Sequence, residues 1–405
     1  MSTIPYMKDS PNKKAWQRFK RNRLGIFGLM LIAFAVILAF FGYLITPDST
    51  PNSNDQINEI RDADLGFSTR ILKVRKNRLF EQTNIFKRMF LGTENKYQLV
   101  PIREFQIDED SIKVLIYQGE DEIGKPTGFA LADVIYPVSA TQNTIQSDGK
   151  TQSFYNVNNE KQTIELKELQ DIILKNNLGN RTFWLGTDHF GRDILSRLII
   201  GIRVSLLVGL IAMIISLTIG VFMGSIAGYY GGKTDDFIML IINTVWSIPT
   251  LLLVFALIIA LGRGFWQIFL AVGLTMWVDV ARIVRGQIIS VKNIQFVEAG
   301  RSFGFSDFRI IFKHILPNIL GPVMVVAAAN FATAILIEAG LSYLGFGIQP
   351  PQPSWGNMLK DGYGYFISSN IYPALFPGLA IMLMVLAFNL VGNAFRDALD
   401  VKTKA

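Results

Sequence analysis

Long blocks without a single charged side chain constrain this chain more than any other feature. The first covers residues 24–45, which is 22 residues. At about 1.5 Å per helical residue it crosses a hydrocarbon layer of about 30 Å. A backbone in lipid must satisfy its own polar groups, so such a block folds as a helix. Seven basic residues precede it (Lys8, Lys13, Lys14, Arg18, Lys20, Arg21, Arg23) against one acid, Asp9. A cleaved signal peptide shares the basic flank but has an apolar stretch of only about 7–15 residues and a small-residue cleavage site. Residues 40–46 offer no clear site. The block therefore reads as an uncleaved helix, with residues 1–23 as a cytoplasmic N-terminal segment.

Five further blocks predict spans at about 204–227, 237–261, 265–283, 318–337 and 371–395. The third is interrupted by Pro249, which neighbouring helices tolerate in a membrane. The fourth meets Asp279, Arg282 and Arg285. Residues 228–236 (G-Y-Y-G-G-K-T-D-D) read as a short polar cytoplasmic turn, 262–264 as an outer turn, and 345–369 as an outer loop rich in Pro and Gly. Between Asp279 and Pro317 stand six basic residues and three acids, so the loop 284–317 is expected in the cytoplasm. The tail 396–405 carries Arg396, Lys402 and Lys404 against Asp397 and Asp400. Six spans place both termini in the cytoplasm. Only 18% of the residues are charged, against about 25% in soluble domains. With no Cys and two distant His residues, His189 and His314, metal chemistry has almost no ligands. The net charge of +7 does not argue for nucleic acid, because much of it flanks the spans, where it sets topology.

Residues 46–183 differ. They hold 17 Lys/Arg against 20 Asp/Glu. Alternating stretches such as residues 111–117 (S-I-K-V-L-I-Y) and 162–166 are separated by turn signals at 124–126, 148–149 and 158–159. Residues 164–176 read as a helix. A long disordered loop is the alternative, but the β-branched and aromatic content favours a small folded α+β domain. It is expected outside, where the first helix exits.

The loop 284–317 holds Glu298-Ala-Gly-Arg-Ser-Phe-Gly304 and, after nine intervening residues, His314-Ile-Leu-Pro317. Residues 294–303 have helical character, and Gly304 can end that helix in a left-handed conformation. Ser306 or Asp307 can cap a second helix running toward the membrane, with Pro317 where it would enter. Phe303 and Phe305 would stand exposed at the end of the short helix, as a knob for a partner's pocket. An amphipathic loop lying on lipid headgroups fits the same residues.

That segment resembles the "EAA" coupling loop of ABC-importer permeases, which docks on the ATPase. Glu298, Ala299, Gly304, Leu316 and Pro317 match; the third position is Gly300 rather than Ala, and His314 stands at the isoleucine position. Residues 16–28, 185–197 (L-G-T-D-H-F-G-R-D-I-L-S-R), 201–205, 338–346, 352–359 and 389–400 resemble the "C"-type subunits of the dipeptide/oligopeptide branch. The resemblance covers residues 16–41 and 184–402. It fails in 46–183 and weakens at Gly392-Asn393-Ala394-Phe395, where the family more often has G-D-G-L.

The resemblance implies an all-α transmembrane protein with the six-helix type I importer permease fold. The insertion 46–183 would be an extracytoplasmic α+β addition between helices 1 and 2, and 184–405 the permease core. It implies a bacterial inner-membrane location and alternating access for di- or oligopeptides. Partners would be a homologous B-type permease, two cytoplasmic ATPases that use ATP and Mg, a solute-binding protein and membrane lipids. This chain itself would bind no cofactor or metal and have no catalytic residue. Docking would fall to Glu298, Ala299, Gly300, Arg301, Phe303, Gly304, Phe305, Leu316 and Pro317. Other cargoes of the family are nickel chelates, glutathione, opines and antimicrobial peptides.

Several residues invite other readings. In 185–203, Thr187 or Asp188 can cap a short helix at the outer interface, and Arg192, Asp193, Arg197 and Arg203 can pair with one another; Asp188, Gly191, Arg192 and Asp193 mark this element. A catalytic Asp188/His189/Asp193 set competes weakly, since charges near spans usually anchor and pair. Gly231-Gly-Lys-Thr234 lacks the first glycine of a phosphate loop, having Ala227 there, and follows a span rather than a strand. Glu338 can face the pore or pair with Arg203 or Arg263. Asn243, Trp246, Asn330 and Asn389 can line the pathway or bond between helices. A membrane-embedded enzyme built on Glu338, Asp279 and His189 is the rival of a different class.

Overall fold

The computed structural model describes residues 11–399 except 82, 120–123, 140, 142–144, 263 and 365–370. Arg263 and the end of the tail, including Lys402 and Lys404, thus lie outside the described residues. The chain divides into two compact units. One comprises Met1–Ile37, Gly201–Lys360 and Pro377–Ala405; the other, Leu38–Ile200 and Asp361–Phe376.

In chain order the helices are α1 (Pro11–Arg21), α2 (Arg23–Ile45), α3 (Ile85–Leu91), α4 (Leu131–Ile135), α5 (Leu166–Ile172), α6 (Ile194–Tyr230), α7 (Gly232–Trp246), α8 (Thr250–Leu261), α9 (Phe265–Val291), α10 (Gln295–Ser302), α11 (Asp307–Arg309), α12 (Leu320–Tyr343), α13 (Trp355–Tyr363) and α14 (Tyr372–Leu399). A π-helical turn, Ile310–Ile315, and a 3₁₀ turn, Leu316–Ile319, join α11 to α12. Among the described residues, five helical stretches are long and apolar enough to span a membrane: α2, α6, α9, Asp307–Tyr343 and α14. The α7–α8 pair passes as a sixth only if counted together, because its two halves meet at 90°.

The elements depart from expectation in instructive places. The second span starts at Ile194 and runs 37 residues, so the expected polar turn 228–236 shrinks to Gly231, between α6 and α7. Gly231 and Gly232 take φ +68° and +56°, a conformation glycine adopts cheaply, and so break the helix there. Pro249 does more than interrupt the third span. Its missing N–H and the extended backbone at ψ 126° end helix geometry before α8. The fourth span continues to Val291, carrying Asp279, Arg282 and Arg285 within the helix.

The α6–α9 contact explains much of the packing in the first unit. A Cβ on Gly220 would lie 2.5 Å from Val280 Cβ, one on Gly224 2.4 Å from the Ala281 carbonyl, and one on Gly228 2.9 Å from the Arg285 carbonyl. Three glycines four residues apart thus let the two helix backbones touch, the small-residue device of membrane helices. In the same unit, Ala394 and Phe395 occupy the stretch where the family pattern weakens. Phe395 packs on Phe19 with ring centroids 4.7 Å apart, and Ala394 is buried beside Gly25.

In the second unit, residues 67–183 form two antiparallel sheets. One has strand order β4-β3-β2-β1-β8, with β1 Phe67–Arg75, β2 Tyr97–Ile107, β3 Ser111–Ile116, β4 Lys125–Ala130 and β8 Leu178–Phe183. The other has order β5-β6-β7, with β5 Gln146–Ser147, β6 Thr151–Tyr155 and β7 Lys161–Glu165. Leu72, Val100, Ile112 and Val114 pack against Leu131 and Val134 of α4, Leu169 of α5, and Phe154. This buried core sets aside the disordered-loop alternative. The expected helix 164–176 instead begins as β7, turns helical at Leu166, and ends in a π turn, Ile173–Asn177. The turn signal at 124–126 is partly strand, since Lys125 and Pro126 pair with Ile116 and Leu115 at the sheet edge. Proline is tolerated at an edge.

Candidate functional site

The segment from α9 to α12 is a compact knob on a rigid base. Ile294 precedes α10 in extended conformation, and Val297 and Gly300 face inward, buried. Val297 joins Ile310, Ile311, Ile315 and Ile319 against Val284 and Ile288 of α9. Gly304 takes φ +74°, and the Phe305 amide donates to the Gly300 carbonyl at 3.1 Å, closing the helix end in Schellman fashion. Ser306 accepts from the Arg309 amide, so Ser306 rather than Asp307 caps the second helix. Asp307 instead accepts from the Tyr229 hydroxyl at 2.7 Å, and the Arg301 guanidinium lies 5.2 Å from the Tyr229 ring centre. Lys292 donates to the Gly228 carbonyl at 3.0 Å. These contacts fasten the knob to the ends of α6 and α9.

The two phenylalanines expected to stand out together do not. Phe303 is 78% exposed. Phe305 is half-buried, stacked on His314 at 5.5 Å and covered by the Arg309 guanidinium at 4.0 Å. Around Phe303 the exposed residues are Glu298, Ala299, Arg301 and Gly304; Pro317 is exposed and Leu316 half-buried. Phe308 and Phe312, which sequence reasoning missed, form a second exposed aromatic pair at 4.4 Å. Their i,i+4 spacing was a usable signal. Tyr229 was missed as well, because its stretch read as a turn.

The polar residues within spans separate into two groups. Asn330 is buried and donates to Ser216 Oγ (3.2 Å) and the Met276 carbonyl (3.3 Å), tying three helices together. Glu338 is fully buried and accepts from Ser342 Oγ at 2.7 Å, one turn along its own helix. Asn243, Trp246 and Asn389 are exposed. Arg282 donates to Asn243 Oδ1 at 2.8 Å, and its guanidinium stacks 3.9 Å from the Trp246 ring centre. Nearby, Arg285 makes a two-point pair with Asp235, both contacts 2.6 Å.

In the second unit, Asp188 is the hub. It accepts from the amides of Phe190 and Arg192 (both 3.0 Å) and from Arg192 Nε (2.8 Å), with Arg197 Nε at 3.6 Å. Arg192 also reaches Asp361 at 3.4 Å. No short helix is capped by Thr187 or Asp188. Asp193 caps α6 instead, accepting from the Ser196 amide at 2.8 Å and from its hydroxyl. The arginines therefore pair with Asp188, not Asp193. Burial of Asp193 pushes its carboxyl above the ordinary range despite the Ser196 bonds. Gly191, at φ +70°, lies so close to the Ile57 carbonyl that any Cβ would clash. These contacts engage Asp188 and the Asp193 Oδ2 in structural bonds, while Asp193 Oδ1 is buried without a hydrogen-bond partner among the described residues.

Several membrane-length helices, with a packed loop between two of them, define a helical membrane protein. Residues 220–405 match the binding-protein-dependent transport system inner membrane component family, and residues 10–61 match the N-terminal TM domain of oligopeptide transport permease C. The chain belongs to the family of peptide ABC-importer permeases of the C type. It is 41% identical over 227 residues (56% of this chain, 73% of the relative) to oligopeptide transport system permease protein OppC of Bacillus subtilis. It is 43% identical over 221 residues (55% and 69%) to dipeptide transport system permease protein DppC of the same organism. Glutathione transport system permease protein GsiD of Pectobacterium atrosepticum is 40% identical over 222 residues (55% and 73%). Among solved structures, an inward-facing MetNI methionine ABC transporter chain matches 51% of this chain and 97% of its own length, with TM-score 0.43 and 19% identity. The chain is thus a multi-pass permease subunit of the inner membrane and not an enzyme.

Proposed function

We propose that this subunit forms half of a peptide pathway and that α10 with Phe303 docks in a groove of a cytoplasmic ATPase. The carrying observation is the 78% exposure of Phe303 at the end of a helix whose buried side is locked by Val297 and Gly300. A rigid aromatic anchor on a buried base suits a hot spot. Two ATPases, using ATP and Mg, close and open; each stroke moves α10, and the packed base passes it to α9 and α12. With a homologous B-type permease, the spans alternate between inward- and outward-open states, and a solute-binding protein delivers cargo.

In this reading α7 and α8 together make one span, giving six, and both termini lie in the cytoplasm. The basic excess around 1–23 and 279–317 supports that orientation, which puts the 46–183 unit outside. Peptides are the favoured cargo because several relatives are named for oligopeptide or dipeptide transport. Glutathione, itself a peptide, is the second reading, supported by the GsiD relatives. Asn243, Trp246 and Asn389 remain pathway candidates, joined by Arg282, whose cation suits a peptide carboxylate. Asn330 and Glu338 fit better as struts.

Phe303→Asp tests the docking role in the assembled transporter. Loss of an aromatic hot spot removes about 2 kcal/mol or more, roughly thirtyfold in affinity. ATPase co-purification and uptake should fall together while the variant still inserts. Normal co-purification with normal uptake would refute the docking role.

A further inference from the structure

One helix of the inserted unit is almost entirely on its surface. Among the residues of α3, I-F-K-R-M-F-L, none is buried; Ile85 is 63% exposed, Phe86 69%, Phe90 52% and Leu91 61%. Leu79, just before it, is also exposed. Four large apolar side chains exposed on one seven-residue helix make a concentrated apolar surface, the kind that marks an interaction site. On an ideal helix Ile85, Phe86, Met89 and Phe90 share an arc of about 140°, with Lys87 and Arg88 on the other flank. Lys87 has an exposed pair with Glu81 at 3.4 Å.

The helix is fixed in place beside the end of α2. The Thr93 amide donates to the Ser49 carbonyl at 2.8 Å, and Gly92, at φ +76°, packs so closely there that a Cβ would sit 2.7 Å from the Ser49 oxygen. Ser49 is four residues beyond the last residue of α2. The rings of Phe90 and Phe40 meet edge to face at 6.3 Å. Phe40 is five residues inside the end of α2, or about 7–8 Å along the helix axis. Amphipathic helices bury their apolar face about 5–10 Å into the headgroup–acyl boundary. The Phe40–Phe90 contact therefore sets α3 at that depth.

We propose that α3 is an interfacial anchor: it lays Ile85, Phe86 and Phe90 into the lipid surface from which α2 emerges at Ile45, with Lys87 and Arg88 reaching headgroup phosphates. Continuity with a spanning helix and the basic flank select lipid as the occupant over a protein groove. The inserted unit is thereby tethered to the bilayer at two points, through the end of α2 and through α3. This goes beyond the transport reading and does not depend on Phe303 docking.

The chain has no cysteine, so single reporters can be placed without background. Phe86→Cys, Ile85→Cys and Lys161→Cys, each carrying an environment-sensitive dye, are reconstituted as the full chain in vesicles containing anionic lipid. Lys161 is exposed on β7. Nitroxide carried at the shallow end of the acyl chain should quench the dyes at 85 and 86 at least threefold more than the dye at 161. Two reporters on one helix guard against one variant misfolding. Equal quenching at 85, 86 and 161 would overturn the proposal. So would shielding of 85 and 86 only after the partner permease or solute-binding protein is added.

Discussion

Gly300 sits in the interior of α10, where a glycine weakens a helix. A Cβ there would meet Phe305 Cδ2 at 3.6 Å and Ile310 Cγ1 at 3.8 Å, ordinary contact distances. Gly300→Ala should therefore raise stability by about 0.5–1 kcal/mol, seen as a higher melting temperature of the purified chain, and leave uptake intact. Asp188 has the opposite role. Its removal by Asp188→Ala strands two arginines that are each only 4% exposed at the side chain. Breaking a buried pair costs about 3–5 kcal/mol, so this variant should unfold at markedly lower temperature, and Asp188→Asn should lose less. At this scale the sequence was readable where local geometry decides. Gly304 announced its left-handed turn, and the cap was narrowed to Ser306 or Asp307, of which Ser306 serves. Phe305 was misjudged because its cover, His314 and Arg309, is supplied by the following helix. Asp188 was misassigned because the partner choice of Arg192 and Arg197 depends on where α6 begins.

Between elements, the α6–α9 seam is the feature with the sharpest consequence. Gly224→Val would force the Ala281 backbone away from a helix it now touches. Overpacking of this kind costs about 1–3 kcal/mol. A fall in melting temperature with lost uptake is expected, and an unchanged melting temperature would contradict the seam. The G-x3-G-x3-G spacing was visible in the chain and points to close helix approach. The break between α7 and α8 was only half visible. Pro249 marks an interruption, but hydropathy is the same for a kinked span and a right-angled pair. In the inserted unit, alternation in residues 111–117 and 162–166 marked β3 and β7, whereas the helix that follows was started two residues early, at 164 instead of Leu166, because a short apolar pattern fits either period.

Across the whole molecule, sidedness is the claim most open to measurement. Ser302→Cys and Lys161→Cys, both at exposed positions, should react with a membrane-impermeant maleimide from opposite faces of sealed vesicles. Labelling of both from one face would overturn the six-span orientation. That the chain holds several membrane-length apolar helices was legible because water and lipid select on composition. The sheet order was not: β8 pairs with β1 more than a hundred residues earlier, Phe183 opposite Phe67, and no local pattern encodes that return. One feature of the architecture bears on motion. From Asp307 to Tyr343 the chain is one 37-residue helical stretch, with Val297 of α10 packed at its foot and Glu338 near its far end. Such a rod is about 55 Å long, so tipping it about 10° at its middle shifts its tips about 5 Å in opposing directions. A see-saw of that length needs only a small nudge below to part side chains above, and the locked Glu338–Ser342 contact would travel with it unbroken.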